Sequence, residues 1–296
     1  MIDARLDLVE AAHPRLGHPR LSDALFAPMK GGFSTLAVLP SNVAAVEAAY
    51  MFSGKLSVRV ALVGPSGWGK SHLLLAAADC LRRQTGVSVV HQPAIPWLNT
   101  QARPEAPVVL ILDDVQDALT RPKERQALKA ALEMRARLSR PTMLSFTMDG
   151  PSRALKSLLP ARNWQIATLK APQVSERQAI LRRIAEREGL SLPDRLYGFL
   201  ARKVGGNGNS LVGAVQRLRA MQPRWVLLDD EFRAIGMLQP IMADSTGWDV
   251  RDFIADELEP LLENLAPVLS VEARRQIVVF FMSRTFHVPE HDIASF

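Results

Sequence analysis

The chain has 296 residues, enough for one α/β core with one or two satellite units, and its hydrophobic content of 48% is ample for such a core. A single cysteine excludes a disulfide framework, and no stretch approaches the roughly 18 apolar residues that a membrane span needs. The net charge of +6 suits an anionic partner such as nucleic acid; arginine-rich helix faces turned to water give the same total, and aromatics at 6% argue against a base-stacking surface.

Residues 1–30 are rich in Pro, His and Gly with weak periodicity, and read as an N-terminal arm. The acidic start, with Asp3, Asp7 and Glu10 and no apolar run behind them, reads as no signal peptide, so the protein is expected in the cytoplasm. Within the arm, residues 5–9 (Arg-Leu-Asp-Leu-Val) resemble a sliding-clamp docking peptide, with Arg5 where such peptides carry Gln. Residues 33–42 lead into a helix over 43–52, with Ser41 and Asn42 as cap types. This segment is placed either to shape an adenine pocket or simply to cover a sheet edge.

Residues 58–63 (Val-Arg-Val-Ala-Leu-Val) predict a buried strand and 71–81 a helix, and between them runs Gly-Pro-Ser-Gly-Trp-Gly-Lys-Ser, residues 64–71. This is the phosphate-binding spacing G-x-x-x-x-G-K-[ST]. Gly64, Gly67 and Gly69 permit a tight turn whose N–H groups point inward, Lys70 reaches the β- and γ-phosphates, and the Ser71 hydroxyl ligates Mg²⁺. The helix that follows turns its positive end to the phosphates. Cys80 on that helix reads as a small core residue.

Residues 87–90 predict a second strand, followed by a short connection broken by Pro93, Pro96, Pro104 and Pro107. Residues 107–114 (Pro-Val-Val-Leu-Ile-Leu-Asp-Asp) are a continuous apolar run closed by two carboxylates, as a parallel strand buried on both faces requires. Its end lies beside the phosphate loop, which places Asp113 to hold the metal and Asp114 to polarise an attacking water. Residues 116–140 predict one or two helices, basic outside, with Leu128, Leu132 and Leu138 inside. A strand over 142–147 offers Thr147, or Ser145 after a slip in register, to the terminal phosphate or the water, and 165–170 predicts a last strand. Strands alternating with helices predict a doubly wound parallel sheet.

Beyond Pro172 the pattern is helical: 175–189, 193–204 and 209–221 predict a three-helix lid, 222–247 a connector, and 248–296 two or more amphipathic helices. His287, Glu290, His291 and Asp292 lack metal-ligand spacing and read as a solvated turn.

Several stretches together resemble the bacterial DnaA family of AAA+ ATPases, over about residues 33–296. They are the Phe33 to Asn42 lead, Gly-Lys-Ser-His-Leu-Leu at 69–74, Leu-Asp-Asp-Val-Gln at 112–116, Ala-Pro-Gln-Val-Ser-Glu-Arg-Gln-Ala-Ile-Leu at 171–181 and Asn-Gly-Asn-Ser-Leu-Val-Gly-Ala-Val at 207–215. Ala-Arg-Arg-Gln-Ile at 273–277 looks like the opening of the family's DNA-binding domain. The resemblance implies an arm (1–30), an AAA+ core (31–171), a helical lid (172–224) and a partial DNA-binding domain (225–296). It implies ATP or ADP with Mg²⁺, contacted by Gly64, Pro65, Ser66, Gly67, Trp68, Gly69, Lys70, Ser71, His72 and, at the lid's sensor position, Asn209. It implies Arg162 as an arginine finger, with Arg153 as runner-up, acting in a nucleotide-dependent homo-oligomer. Partners implied are DNA, without sequence specificity in this chain, and replication proteins such as an initiator, a sliding clamp or a helicase.

The chain departs from the family at four places. Asn209 replaces an arginine, and a neutral amide lacks the charge-assisted contact that guanidinium gives a phosphate, so weak coupling between nucleotide and lid is expected unless Arg202 or Arg217 substitutes. The connection 91–107 is too short for the initiator's extra helical hairpin, which makes the shorter Hda-type regulators look closer. The partner-binding domain that leads the family is replaced by the short arm. The base-reading Gly-Arg-Asp-His signature would begin where the chain ends, so either the sequence is truncated or it lacks duplex recognition. Two classes stay open: a working ATPase that assembles on DNA or loads a helicase, and a nucleotide-stabilised adaptor that turns over little. A transposition or phage helper ATPase shares the same core.

Overall fold

The computed structural model describes residues 31–54, 59–84, 86–100, 106, 108–159, 164–221, 234, 237, 238, 262 and 270–284. The arm, the docking peptide, Arg162, the 222–247 connector apart from residues 234, 237 and 238, and the His287 turn lie outside the described residues. A 3-10 turn (Gly31–Thr35) leads to α1 (Val43–Gly54), β1 (Arg59–Gly64) and α2 (Lys70–Arg82). Then come β2 (Val89–Pro93), α3 (Ala94–Asn99), β3 (Val109–Asp113), α4 (Gln116–Leu119) and α5 (Pro122–Arg137). The core ends with β4 (Thr142–Thr147), α6 (Arg153–Leu158) and β5 (Trp164–Thr168). The helices that follow are α7 (Val174–Arg187), α8 (Asp194–Lys203), α9 (Gly208–Met221) and α10 (Val271–Arg284).

The five strands form one parallel sheet in the order β2-β3-β4-β1-β5, so the expected doubly wound α/β sheet is present. Alternation along β1 places its side chains in two cores. Val60 and Leu62 pack with α1 and α2, while Ala61 and Val63 pack with α3, α5 and α6. Because both faces are covered, β1 is buried throughout, which is why residues 60–63 are an unbroken apolar run. Cys80 packs against the core beneath α1 and α2. The 91–107 connection contains α3 directly after β2.

Two expectations about helices are corrected. In α5, Leu128 and Leu132 are buried as predicted, but Leu138 is 43% exposed and Arg135 is 1% exposed. Arg135 donates from Nε to Thr142 Oγ1 (2.9 Å) and from Nη2 to the Val108 (2.7 Å) and Pro141 (2.8 Å) carbonyls, which pins α5 to the entering ends of β3 and β4. The cap of α7 is Gln173, not Ser175: it forms a reciprocal capping box with Glu176.

The helices after residue 172 bury a core of their own, built on Leu181, Leu196, Phe199, Leu200, Leu211 and Val215, against which Ile277, Val278 and Met282 of α10 pack. Glu176 joins this layer to the sheet domain by accepting from the Ser41 N–H (2.8 Å) and the Gln173 N–H (2.8 Å). Burial pushes the Glu176 carboxyl up, but the hydrogen bonds from Gln173 and Ser41 outweigh it and hold the group below its ordinary value of 4.5. A depressed carboxylate stabilises the fold above its unfolded value, and the contribution is lost as pH falls through the folded one. Glu176→Gln should therefore cost about 1 kcal/mol at neutral pH, the usual worth of a cap. The gap to wild type should close below pH 4.5, as read by urea unfolding of both proteins across pH.

Candidate functional site

The phosphate loop leaves β1 at Gly64 and enters α2 at Lys70. Gly67 and Gly69 have φ of 75° and 97°, left-handed values that a Cβ penalises. These two turns reverse the chain within a few residues. Lys70 is 4% exposed, and its ammonium donates to the Gly64 (2.9 Å) and Pro65 (2.7 Å) carbonyls. Burial lowers the Lys70 pKa, while the charges of Asp113 and Asp114 raise it again.

Beside the loop opens a cleft of about 380 Å³. Ser66, Gly67, Trp68, Gly69, Lys70, Ser71 and His72 form one wall. Thr35, Leu36, Ala37 and Asn42 form the second, so the segment ahead of α1 lines the cleft rather than only covering the sheet. Asn42 does not cap α1; its side chain accepts from the Leu39 N–H (2.8 Å) and donates to the Ala37 carbonyl (2.8 Å), which fixes that wall. Gly64 and Pro65 take part through the carbonyls that hold Lys70.

Asp114 lies on the cleft and Asp113 beside it. Asp114 has φ of 51°, a left-handed conformation that Asp tolerates better than most residues. Its N–H donates to Asp113 Oδ1 (3.0 Å) and Ser145 Oγ (3.1 Å), and the Ser145 hydroxyl donates to Asp113. Ser145 is buried and braces the carboxylates, whereas Thr147 reaches the cleft. Gln116 carries no sign of a role in its local pattern, yet it links the two strands. Its Nε2 donates to Asp114 Oδ1 (3.0 Å) and its Oε1 accepts from the Thr147 N–H (2.9 Å), so one side chain ties the ends of β3 and β4 together.

Helices α7 and α9 supply the remaining wall through Ile180, Arg183, Ile184 and Arg187 of α7 and Gly208, Asn209 and Val212 of α9. Among the described residues the cleft arginines are thus Arg183 and Arg187; Arg202, Arg217 and Arg153 do not line it. Two i, i+4 pairs, Ile180–Ile184 and Arg183–Arg187, were the available signal, since such pairs share a helix face. Arg183 donates to the Ser34 carbonyl and pairs with Glu186 (2.9 Å), and Arg187 pairs with Glu188 (3.3 Å). His72 shares a hydrogen bond with Thr35 Oγ1 (2.8 Å), and burial, aided by the charge of Arg187, holds its pKa down.

No family model matches the chain. The chromosomal replication initiator protein DnaA of Nautilia profundicola is 24% identical over 210 residues, 64% of this chain and 47% of that protein. Domain III of the Thermotoga maritima DnaA superposes with a TM-score of 0.60 at 21% identity, over 71% of this chain and 96% of that one. The fold is that of a DnaA-like AAA+ protein. A DnaA structure bound to AMPPCP and single-stranded DNA extends the likeness to 91% of this chain and 87% of its own, with a TM-score of 0.54 at 18% identity. The DnaA-like chain spans less than half the length of the curated relatives it matches. None of its described helices is long and apolar enough to cross a membrane.

Proposed function

We propose that this DnaA-like chain binds ATP or ADP with Mg²⁺ in the cleft and acts in replication initiation or its control, by nucleotide-dependent assembly with DNA or replication proteins in the cytoplasm. The observation that carries the reading is Lys70: a cation 4% exposed at the floor of a glycine-turned loop, beside an open cleft. A buried ammonium hydrogen-bonded to carbonyls favours an anion more strongly charged than those carbonyls, and a triphosphate is such an anion. Support comes from the DnaA relative that holds AMPPCP and single-stranded DNA.

The donor set fits Mg²⁺. Among the described residues no group of three His, Cys, Asp or Glu side chains could cage a metal. Mg²⁺ is characteristically held by one or two carboxylates and a hydroxyl together with phosphate oxygens, and Asp113 and Ser71 would supply the protein's share of these donors. The metal's chemistry there would be to neutralise phosphate charge. In this reading Asp114, braced by Gln116, orients a water, and Thr147 faces the terminal phosphate. Residues 31–171, 172–224 and 225–296 then serve as core, lid and DNA- or partner-facing segment, with an arginine at position 162 acting across a homo-oligomer.

The second reading, an Hda-like adaptor that binds nucleotide and hydrolyses little, is favoured by Asn209 on the cleft, a neutral side chain where the family carries arginine. Turnover separates the two. Steady-state hydrolysis with and without single-stranded DNA is expected to exceed that of Lys70→Ala and Asp114→Ala about 100-fold if the chain is a working ATPase, as loss of one positioned catalytic group implies. Wild-type rates equal to both variants would leave the adaptor. Calorimetry with ADP and Mg²⁺ that detects no uptake would end both.

A further inference from the structure

The start of α9 presses on the phosphate loop at points that nucleotide binding does not require. The Gly208 N–H donates to the Gly67 carbonyl (3.1 Å). A Cβ at Gly208 would stand 2.5 Å from that oxygen and 3.8 Å from Cε3 of Trp68. A Cβ at Gly67 would stand 2.2 Å from the side chain of Asn207, the residue just before α9. Trp68, the last variable position of the loop, packs its ring against the apolar core shared by α7, α8 and α9. Backbone, small residues and a large ring therefore interlock where α9 begins.

We propose that Trp68 and the Asn207–Gly208 turn form a latch that fastens the lid to the phosphate loop itself. The inference rests on the reading of the cleft as a nucleotide site and adds how that site is regulated. A lid arginine would sense the terminal phosphate by charge, but Asn209 is neutral, and Arg183 and Arg187 on α7 already pair with Glu186 and Glu188. Here the loop backbone carries the signal. When the loop wraps phosphates its Gly67 carbonyl and Trp68 ring shift, and because packed interiors resist deformation the first turns of α9 shift with them. Gly208 is the fitting residue because any side chain there would force the loop and the helix apart.

Amide hydrogen exchange of the full chain tests this, first without nucleotide and then with ADP and Mg²⁺. Trp68→Ala and Gly208→Ala are expected to speed exchange in the first two turns of α9 on the order of tenfold, as local opening requires. Trp68→Phe, which keeps a ring, should do so less. Gly213→Ala is the control: it lies in the same helix, but its Cβ would meet nothing within 4 Å. Exchange there should be no faster than in wild type. Addition of ADP should slow α9 exchange in wild type and fail to do so in Trp68→Ala. Wild-type exchange rates in both Trp68→Ala and Gly208→Ala would overturn the latch, and so would an increase spread equally over β1 and β4, since the device is local. Absence of any nucleotide uptake by wild type would instead sink the functional reading, and the nucleotide-free comparison would still decide the latch.

Discussion

Lys70→Ala is expected to weaken adenine-nucleotide affinity at least about 100-fold, which is about 2.7 kcal/mol. The magnitude follows from exchange of partners. Two charge-assisted bonds to phosphate oxygens contribute about 1.5–3 kcal/mol each. Against this stand the bonds to the Gly64 and Pro65 carbonyls, which Lys70 gives up or shares when phosphate arrives. The net therefore sits near the lower end of the sum. The same substitution removes a desolvated charge. Because Lys70 lines an open cleft, water can follow to the Gly64 and Pro65 carbonyls it leaves, so the nucleotide-free protein should melt close to wild type. The two readouts thus diverge: calorimetry loses the ligand, and the ligand-dependent rise in Tm disappears, while the free Tm stays near its starting value. Retention of nucleotide within threefold of wild type would move the binding site away from this loop.

Arg135→Ala should be the most damaging single change to stability, at about 3–5 kcal/mol. The guanidinium is pushed down to about 10, first by burial and then by the charge of Arg140, so it stays charged at neutral pH. It donates to Thr142 Oγ1 and to the Val108 and Pro141 carbonyls. Truncation leaves those groups without that donor at the entering ends of β3 and β4, and each buried orphan costs about 1–3 kcal/mol, less where water follows. Arg135→Lys should recover only part of the loss, because an ammonium cannot reproduce a planar fork that spans helix and two strands. Urea unfolding checks both variants: the midpoint should fall while the slope stays constant. A loss below about 1 kcal/mol for Arg135→Ala would show that these groups are already solvated.

Arg135 also explains where the sequence could be read further than it was. At 100° per residue, position 135 lies about 20° from Leu128 on the helix, and position 138 about 80° away. Helical phase therefore assigned the core face to Arg135, and residue type argued for Leu138. The structure sides with phase, since strand-end carbonyls, not apolar surface, await that side chain. The strands were legible for the opposite reason. In β1, β3 and β4 type and period agree along the strand centres, because strands covered on both faces are made mostly of apolar residues, with polar ones such as Thr142 and Ser145 held by hydrogen bonds.

Gln116 and Arg183 mark the limit of such reading. Each is polar, on a helix, and unremarkable in its local pattern. Gln116 matters because β3 and β4 are adjacent in the sheet, so one amide can reach both Asp114 and Thr147. Arg183 and Arg187 matter because α7 lies across the cleft, a placement set by the packing of the helical layer rather than by any neighbour in sequence.

The sequence by itself determined the phosphate loop, the paired carboxylates at the end of β3 and the parallel α/β sheet, because each is encoded in contiguous residues whose chemistry and period coincide. Only the tertiary structure decided which cations face the cleft, how Asp114 is braced and how Trp68 meets Gly208. Those depend on how helices far apart in the chain rotate and settle against the sheet, and packing of that kind is a property of surfaces that no local stretch contains.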